Sequence, residues 1–162
     1  MLGLFYYVLS KVFINVKGEV MKNILSLFNG ISALHLACDK AGFEIDTCYY
    51  AEIDKYANKV TEQHYPNDVA LGDVTKWREW DLPHIDLVLS GTPCQGFSRA
   101  GMMLNFKDER SKLFFEFVDI LNDIKTKNPD VLFLFENVKM KDVWKNIITD
   151  KLGVEPIEIN SK

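Results

Sequence analysis

Ile85-Asp86-Leu87-Val88-Leu89-Ser90-Gly91-Thr92-Pro93-Cys94-Gln95-Gly96-Phe97-Ser98 is a short apolar run that empties into a glycine-bracketed polar loop. Such a run, ended by Gly-Thr-Pro, reads as a buried strand whose carboxyl end opens into a loop. In open α/β sheets, ligands bind at that edge. Cys94 follows a rigid proline, lies between Gly91 and Gly96, and has small or polar neighbours in Thr92, Gln95 and Ser98. Most free cysteines are small buried hydrophobes chosen for packing. This one stands on a polar loop at a strand end, a position suited to chemistry.

The same punctuation recurs on both sides of the loop. Upstream, Ile24 to Phe28 is an apolar strand ending at Asn29-Gly30, followed by the helical pattern Ile31, Leu34, Leu36, Ala37, Ala41 and a stop at Gly42. Cys48 to Ala51 is a second strand that runs into Glu52-Ile53-Asp54, and Lys55 to His64 reads as a helix halted by Pro66. Val69-Ala70-Leu71 is a third strand, closed by Gly72-Asp73, and Trp77 and Trp80 mark a short helical turn used for packing. Downstream, a polar loop extends from Ser90 to about Glu109, and Leu113, Phe114, Phe117, Val118, Leu121 and Ile124 line one face of a long helix. Val131 to Phe135 is the most apolar strand, expected near the sheet centre, and it ends at Glu136-Asn137. Asp142 to Lys151 makes another helix and Val154 to Ile159 a last strand. Strands alternating with helices predict an α/β fold with a doubly wound, mainly parallel sheet.

Composition sets outer limits. The chain has 162 residues, 48% hydrophobic and 26% charged, enough for one compact domain. Its formal net charge of -4 does not announce a nucleic-acid binder, although a local basic strip can coexist with an acidic remainder. Cys38, Cys48 and Cys94 show no metal-type pairing, so no metal site is expected, and the setting reads as reducing and cytosolic. Leu2 to Leu9 is apolar but short, has no basic residue before it and is followed by Lys11. It is neither a signal peptide nor a membrane span. Residues 1–20 are therefore read as a peripheral extension, with synthesis starting at Met21, and residues 21–162 as the domain proper; an extra strand or helix on the sheet is the alternative.

In a parallel sheet the carboxyl ends of the strands share one edge, which brings together Asn29-Gly30, Glu52, Asp73, Gly91 to Ser98, and Glu136-Asn137. Gly30 allows close approach of a ligand at a helix start, and Glu52 follows 52 − 30 = 22 positions later. That is close to the spacing of about 20 at which an acidic residue holds ribose hydroxyls. Ser32 and Ala33 stand where a pyrophosphate-binding fingerprint would carry more glycine. Asp73 suits either an adenine amino group or a plain turn.

Phe28-Asn29-Gly30, Pro93-Cys94-Gln95 and Glu136-Asn137-Val138, in this order and spacing, resemble motifs of the cytosine-5 DNA methyltransferase family. Ala51-Glu52-Ile53-Asp54, Gly72-Asp73-Val74 and Arg110-Ser111-Lys112-Leu113-Phe114 resemble its intermediate motifs, so that the likeness runs from about Asn23 to the C-terminus. The resemblance implies a Rossmann-like, S-adenosylmethionine-dependent methyltransferase fold. It implies that Phe28, Asn29, Gly30, Ile31, Glu52, Ile53, Asp73, Val74, Gly91 and Pro93 surround S-adenosylmethionine, which leaves as S-adenosylhomocysteine. Cys94 would be the nucleophile at cytosine C6, with Glu136 the carboxyl group facing N3. Gln95, Gly96, Ser98, Arg99 and Asn137 would serve the loop that meets DNA and a flipped-out base. DNA is the implied partner, the cytoplasm of a prokaryote or phage host the implied setting, and no membrane is involved.

The family's catalytic domain continues past a strand resembling Glu155 to Lys162, with a Gln-x-Arg-x-Arg motif, a target-recognition region and a segment completing the cofactor pocket. The expectation is a domain truncated before these parts and incomplete at its C-terminal end, completed by a downstream segment or a second chain. The alternatives are a non-enzymatic remnant, a subunit of a split methyltransferase, and an RNA cytosine-5 methyltransferase.

Overall fold

The computed structural model describes residues 3–8, 20–93, 109–138 and 140–160. The strands are β1 (Gly3–Val8), β2 (Val20–Leu27), β3 (Glu44–Ala51), β4 (Val69–Gly72), β5 (Leu87–Gly91), β6 (Leu132–Val138) and β7 (Pro156–Asn160). The helices are α1 (Ala33–Ala41), α2 (Lys55–His64), α3 (Glu109–Lys127) and α4 (Asp142–Leu152), with a 3-10 turn at Val74–Glu79. They form one sheet in the order β4-β3-β2-β5-β6-β1-β7. From β4 to β6 all neighbours are parallel, as the strand-helix alternation requires.

Both faces of the sheet are covered, and alternate side chains of each inner strand go to opposite layers. Leu25, Leu27, Val88, Phe133 and Phe135 meet Phe114, Phe117 and Leu121 of α3 and Ile148 and Leu152 of α4 in the main core. On the other side Ile24, Leu87 and Leu132 pack with Cys38 of α1. Burial on both faces explains why these strands read as unbroken apolar runs. Trp77 packs against the main core, and its Nε1 donates to Glu116 on α3 at 2.8 Å, so the tryptophan turn serves packing.

Register then fixes the functional edge. Leu27 lies beside both Ala51 and Ser90, Ser90 beside Phe135, and Gly91 beside Glu136. The residues that follow β2, β3 and β5 therefore leave the sheet at one level, with Glu136 on the same row.

Within the N-terminal extension, residues 3–8 form a strand inside the sheet, antiparallel to β6 on one side and to β7 on the other. An extra strand on the sheet is the arrangement weighed as the alternative for this segment. The sequence argument weighed hydrophobic length and flanking charge, and neither reports whether a neighbouring strand offers an unpaired edge. β2 also begins at Val20, before Met21, because Val20 pairs with Glu44. Among the described residues no helix is long and apolar enough to cross a membrane.

The aromatic stack carries much of the main core. Phe117 is fully buried, and its ring lies 5.0 Å from that of Phe135, nearly parallel to it. Phe117→Ala is expected to cost about 3–5 kcal/mol of unfolding free energy through lost transfer energy and an unfilled cavity. Urea denaturation of the chain and its variant checks this; a loss below about 1 kcal/mol would mean that the α3 face is not the core.

Candidate active site

The turn between β2 and α1 is built on an alternation of left-handed residues. Phe28 has φ 57°, Gly30 φ 56° and Ser32 φ 60°. Glycine adopts this region freely, whereas each of the two side chains costs roughly 1–2 kcal/mol. The surroundings hold the turn in place. Asn29 N–H donates to the Ala51 carbonyl at 3.2 Å. Glu52 accepts from Gly30 N–H through Oε2, and from Ile53 and Asp54 N–H through Oε1, each at 2.8 Å. The side chain of Asn29 points inward, accepting from Ser26 Oγ at 2.8 Å and donating to Ser32 Oγ at 2.6 Å.

A cavity of about 470 Å³ opens beside this turn, lined by Phe28, Ala51, Glu52, Ile53, Gly72, Asp73, Val74, Thr75, Gly91, Pro93 and Leu113. Seven of the sequence-derived cofactor positions thus meet around one space: Phe28, Glu52, Ile53, Asp73, Val74, Gly91 and Pro93. Asn29, Gly30 and Ile31 do not line it. Gly30 uses its N–H to anchor Glu52, and Ile31 is 61% exposed. Asp73 has the turn role weighed for it: its Oδ1 accepts from Thr75 N–H and Oγ1, each at 2.9 Å. The residue also lines the cavity. The Thr75 backbone N–H, first among its causes, holds the Asp73 carboxyl below its ordinary pKa, so it stays an ionised acceptor.

Ala51, Gly72, Thr75 and Leu113 were not picked out as site residues. Ala51 and Gly72 sit at the ends of β3 and β4, next to residues that were, so strand-end position was the available signal. Leu113 follows the apolar stripe of α3, and nothing in that period separates a cavity wall from a core contact.

Glu136 belongs to the adjoining space. A second, more apolar cavity of about 490 Å³ lies between α1 and the sheet, lined among others by Leu34, Ala37, Leu89, Leu134 and Glu136; it shares Phe28 and Gly91 with the first. The half-buried Glu136 carboxyl is held above its ordinary pKa by burial. A Cβ at Gly91 would come 3.3 Å from Glu136 Oε2, so the glycine leaves room for this group. Beside it, buried Asn137 donates from Nδ2 to Thr92 Oγ1 at 3.1 Å and to the Thr92 carbonyl at 3.4 Å, and its Oδ1 accepts from Val138 N–H at 2.9 Å. Asn137 thereby holds Thr92, which stands two positions before Cys94 in the sequence.

Cys94, Gln95, Gly96, Ser98 and Arg99 lie outside the described residues. His35 stacks on Tyr65 at 3.8 Å and pairs with Asp68 at 2.8 Å. Cys48 Sγ is the third donor atom within 4.8 Å of these groups.

The chain matches the family of C-5 cytosine-specific DNA methylases over residues 22–145. Over 118 residues it is 43% identical to the orphan methyltransferase M.Rho11sI of Bacillus phage rho11s, an alignment covering 72% of this chain and 23% of that protein. Over 119 residues it is 39% identical to the type II methyltransferase M.NgoBV of Neisseria gonorrhoeae, covering 71% of this chain and 27% of that protein. A variant of Spodoptera frugiperda DNMT2 superposes with a TM-score of 0.55 and 29% identity, over 82% of this chain and 40% of that one. The fold is thus the Rossmann-like one of S-adenosylmethionine-dependent methyltransferases. The chain spans less than a third of the length of these two curated relatives. The matched region contains both cavities and the whole strand-end row, and the chain belongs to the C-5 cytosine-specific DNA methylase family.

Proposed function

We propose that this chain carries the cofactor-binding and nucleophilic part of a DNA (cytosine-5-)-methyltransferase that uses S-adenosylmethionine. The observation that supports this most is the meeting of two cavities at Phe28 and Gly91, one bearing Glu52 and Asp73, the other Glu136. The first suits a nucleoside: a carboxylate at the end of β3 for the ribose hydroxyls, an ionised Asp73 for an adenine amino group, and apolar walls from Phe28, Ile53, Val74 and Leu113. S-adenosylmethionine supplies the methyl group there.

Cytosine C5 is a poor nucleophile, and the chain's own residues would correct this. The Cys94 thiolate forms a bond to C6 and the C5=C6 electron pair moves toward C5. Protonated Glu136 donates to N3, which takes up the electron density drawn by that addition. After methylation at C5, loss of the C5 proton to a base re-forms the C5=C6 double bond and expels the Cys94 thiolate, while N3 returns its proton to Glu136. The carboxyl must hold a proton at neutral pH, and burial pushes Glu136 that way. Asn137 sets the direction in which the chain leaves Thr92 for Cys94. A stacked base is out of reach of such an attack, so DNA would be engaged with the cytosine flipped out. Setting the target sequence would fall to other parts of the protein or to a second chain.

Trapping on DNA containing 5-fluorocytosine tests the reaction directly, because fluorine at C5 blocks the elimination. A stable protein–DNA adduct is expected from a methyl-transfer-competent protein carrying this chain, and none from Cys94→Ser, whose cofactor affinity should stay within about twofold of the original. Adducts formed with RNA alone would reassign the substrate.

Glu52→Ala is expected to weaken S-adenosylhomocysteine binding by about 1–3 kcal/mol, the range for a lost charged hydrogen bond. Equal affinities by calorimetry would remove Glu52 from the ribose site.

The raised Glu136 pKa fixes a sign for pH dependence. Folding favours the protonated carboxyl, so its stabilising contribution is complete below the ordinary glutamate pKa and is lost as pH rises through the higher folded value. From about pH 4 upward, Glu136→Gln should therefore gain stability relative to the parent chain as pH rises through the higher folded value. A flat difference in denaturation midpoints across that window would show that the group is not held protonated.

A further inference from the structure

We propose that Thr61 is a positioning residue for the cofactor site, holding the β2–α1 turn in the shape that aims Glu52; this rests on the cofactor reading above. Thr61 is the buried residue of α2, with 0% exposure, while Tyr56 and Val60 of the same helix are 66% and 36% exposed. A helix that seated itself by apolar packing would bury Tyr56 or Val60 instead. The Thr61 hydroxyl lies 2.9 Å from Ser32 Oγ and accepts from Asn29 Nδ2 at 3.4 Å.

Ser32 shows what this contact does. It is the N-cap of α1, where a serine ordinarily turns its hydroxyl onto the first free N–H groups of its own helix. Here it makes no side-chain capping bond. Its hydroxyl, 1% exposed, is diverted to Asn29 and Thr61, and its backbone stays left-handed at φ 60°. Ser26, Asn29, Ser32 and Thr61 thus form one connected polar chain under the turn, and Thr61 is its link to another helix.

The same helix begins just after Glu52, with Asp54 as its N-cap. Glu52 in turn accepts from Gly30 N–H at the crest of the turn. α2 therefore grips the turn twice, through Glu52 before its first residue and through Thr61 near its last turn. If the Thr61 grip is released, Ser32 and Asn29 lose a buried partner and the left-handed turn relaxes. Gly30 then withdraws from Glu52, and the carboxylate loses the bond that orients it.

Two variants and two readouts test this on the 162-residue chain. Thr61→Val keeps the shape and removes the hydroxyl, and Thr61→Ser keeps the hydroxyl. By NMR-detected hydrogen exchange, the Gly30 amide is expected to exchange at least about tenfold faster in Thr61→Val, while core amides such as Leu25 and Phe133 keep their protection. Thr61→Ser should return Gly30 to within about twofold of the parent rate. By calorimetry, S-adenosylhomocysteine should bind roughly three- to tenfold more weakly to Thr61→Val, the range of one lost neutral hydrogen bond, with recovery in Thr61→Ser. Unchanged Gly30 exchange in Thr61→Val overturns the proposal, as does a loss that spreads equally to Leu25 and Phe133. Should neither the parent chain nor a methyl-transfer-competent protein carrying it bind S-adenosylhomocysteine, the cofactor reading fails instead, and Gly30 exchange still decides whether Thr61 holds the turn.

Discussion

The carboxylate of Glu52 ties together two strand ends that the sheet alone leaves loose. Its Oε1 closes its own chain by accepting from Ile53 and Asp54, and its Oε2 reaches across to Gly30 beyond the end of β2. Parallel ladders align the strands, but they do not specify what the chain does after the last ladder bond. In this protein the first residues beyond β2 are Phe28, Asn29 and Gly30, two of them left-handed, and they hold that form against an unfavourable backbone conformation. The strain is tolerable because charged and neutral hydrogen bonds surround the turn on the β3 and α2 sides. The first cavity is bounded by Phe28 on one flank and Glu52 on the other, the two sides that this bond joins.

Gly91 plays a comparable part at the next strand. Its lack of a side chain lets Glu136 approach the β5 backbone, and it borders both cavities. The cavity that carries Glu52 and Asp73 and the one that carries Glu136 thereby meet at a single glycine. A larger residue at this position would push on Glu136 Oε2 from 3.3 Å away.

Much of this was legible before any coordinates. The switch between apolar strand runs and helical periodicity, punctuated by Gly30, Gly42, Gly72 and Gly153, places the parallel strands and helices within a few residues of where they lie. Residues closing the strands, among them Glu52, Asp73 and Gly91, were identifiable because a parallel sheet gathers such positions whatever its details. What stayed hidden depends on partners far away in sequence. Asn29 could be assigned to the turn but not to its inward hydrogen bonds, which require Thr61 of α2. Ser32 gave no sign of a left-handed backbone, since glycine is the usual marker and a network takes its place here. The pairing of residues 3–8 could not be read because their partners lie more than a hundred residues downstream.

That pairing orders events in time. Tyr6 lies beside Glu136 and Ile157, at sequence separations of 136 − 6 = 130 and 157 − 6 = 151. During synthesis β1 is made first and finds its neighbours last, after the parallel strands β2 to β6 have had the chance to assemble. Closing so long a loop slows the step that completes this side of the sheet. Until then β6 presents a bare edge on the side next to Glu136, and β7 has no strand to join. The row that carries the proposed chemistry is therefore the most exposed to wrong pairing while the chain is young, and a chaperone or a rapid partner would matter most at that border.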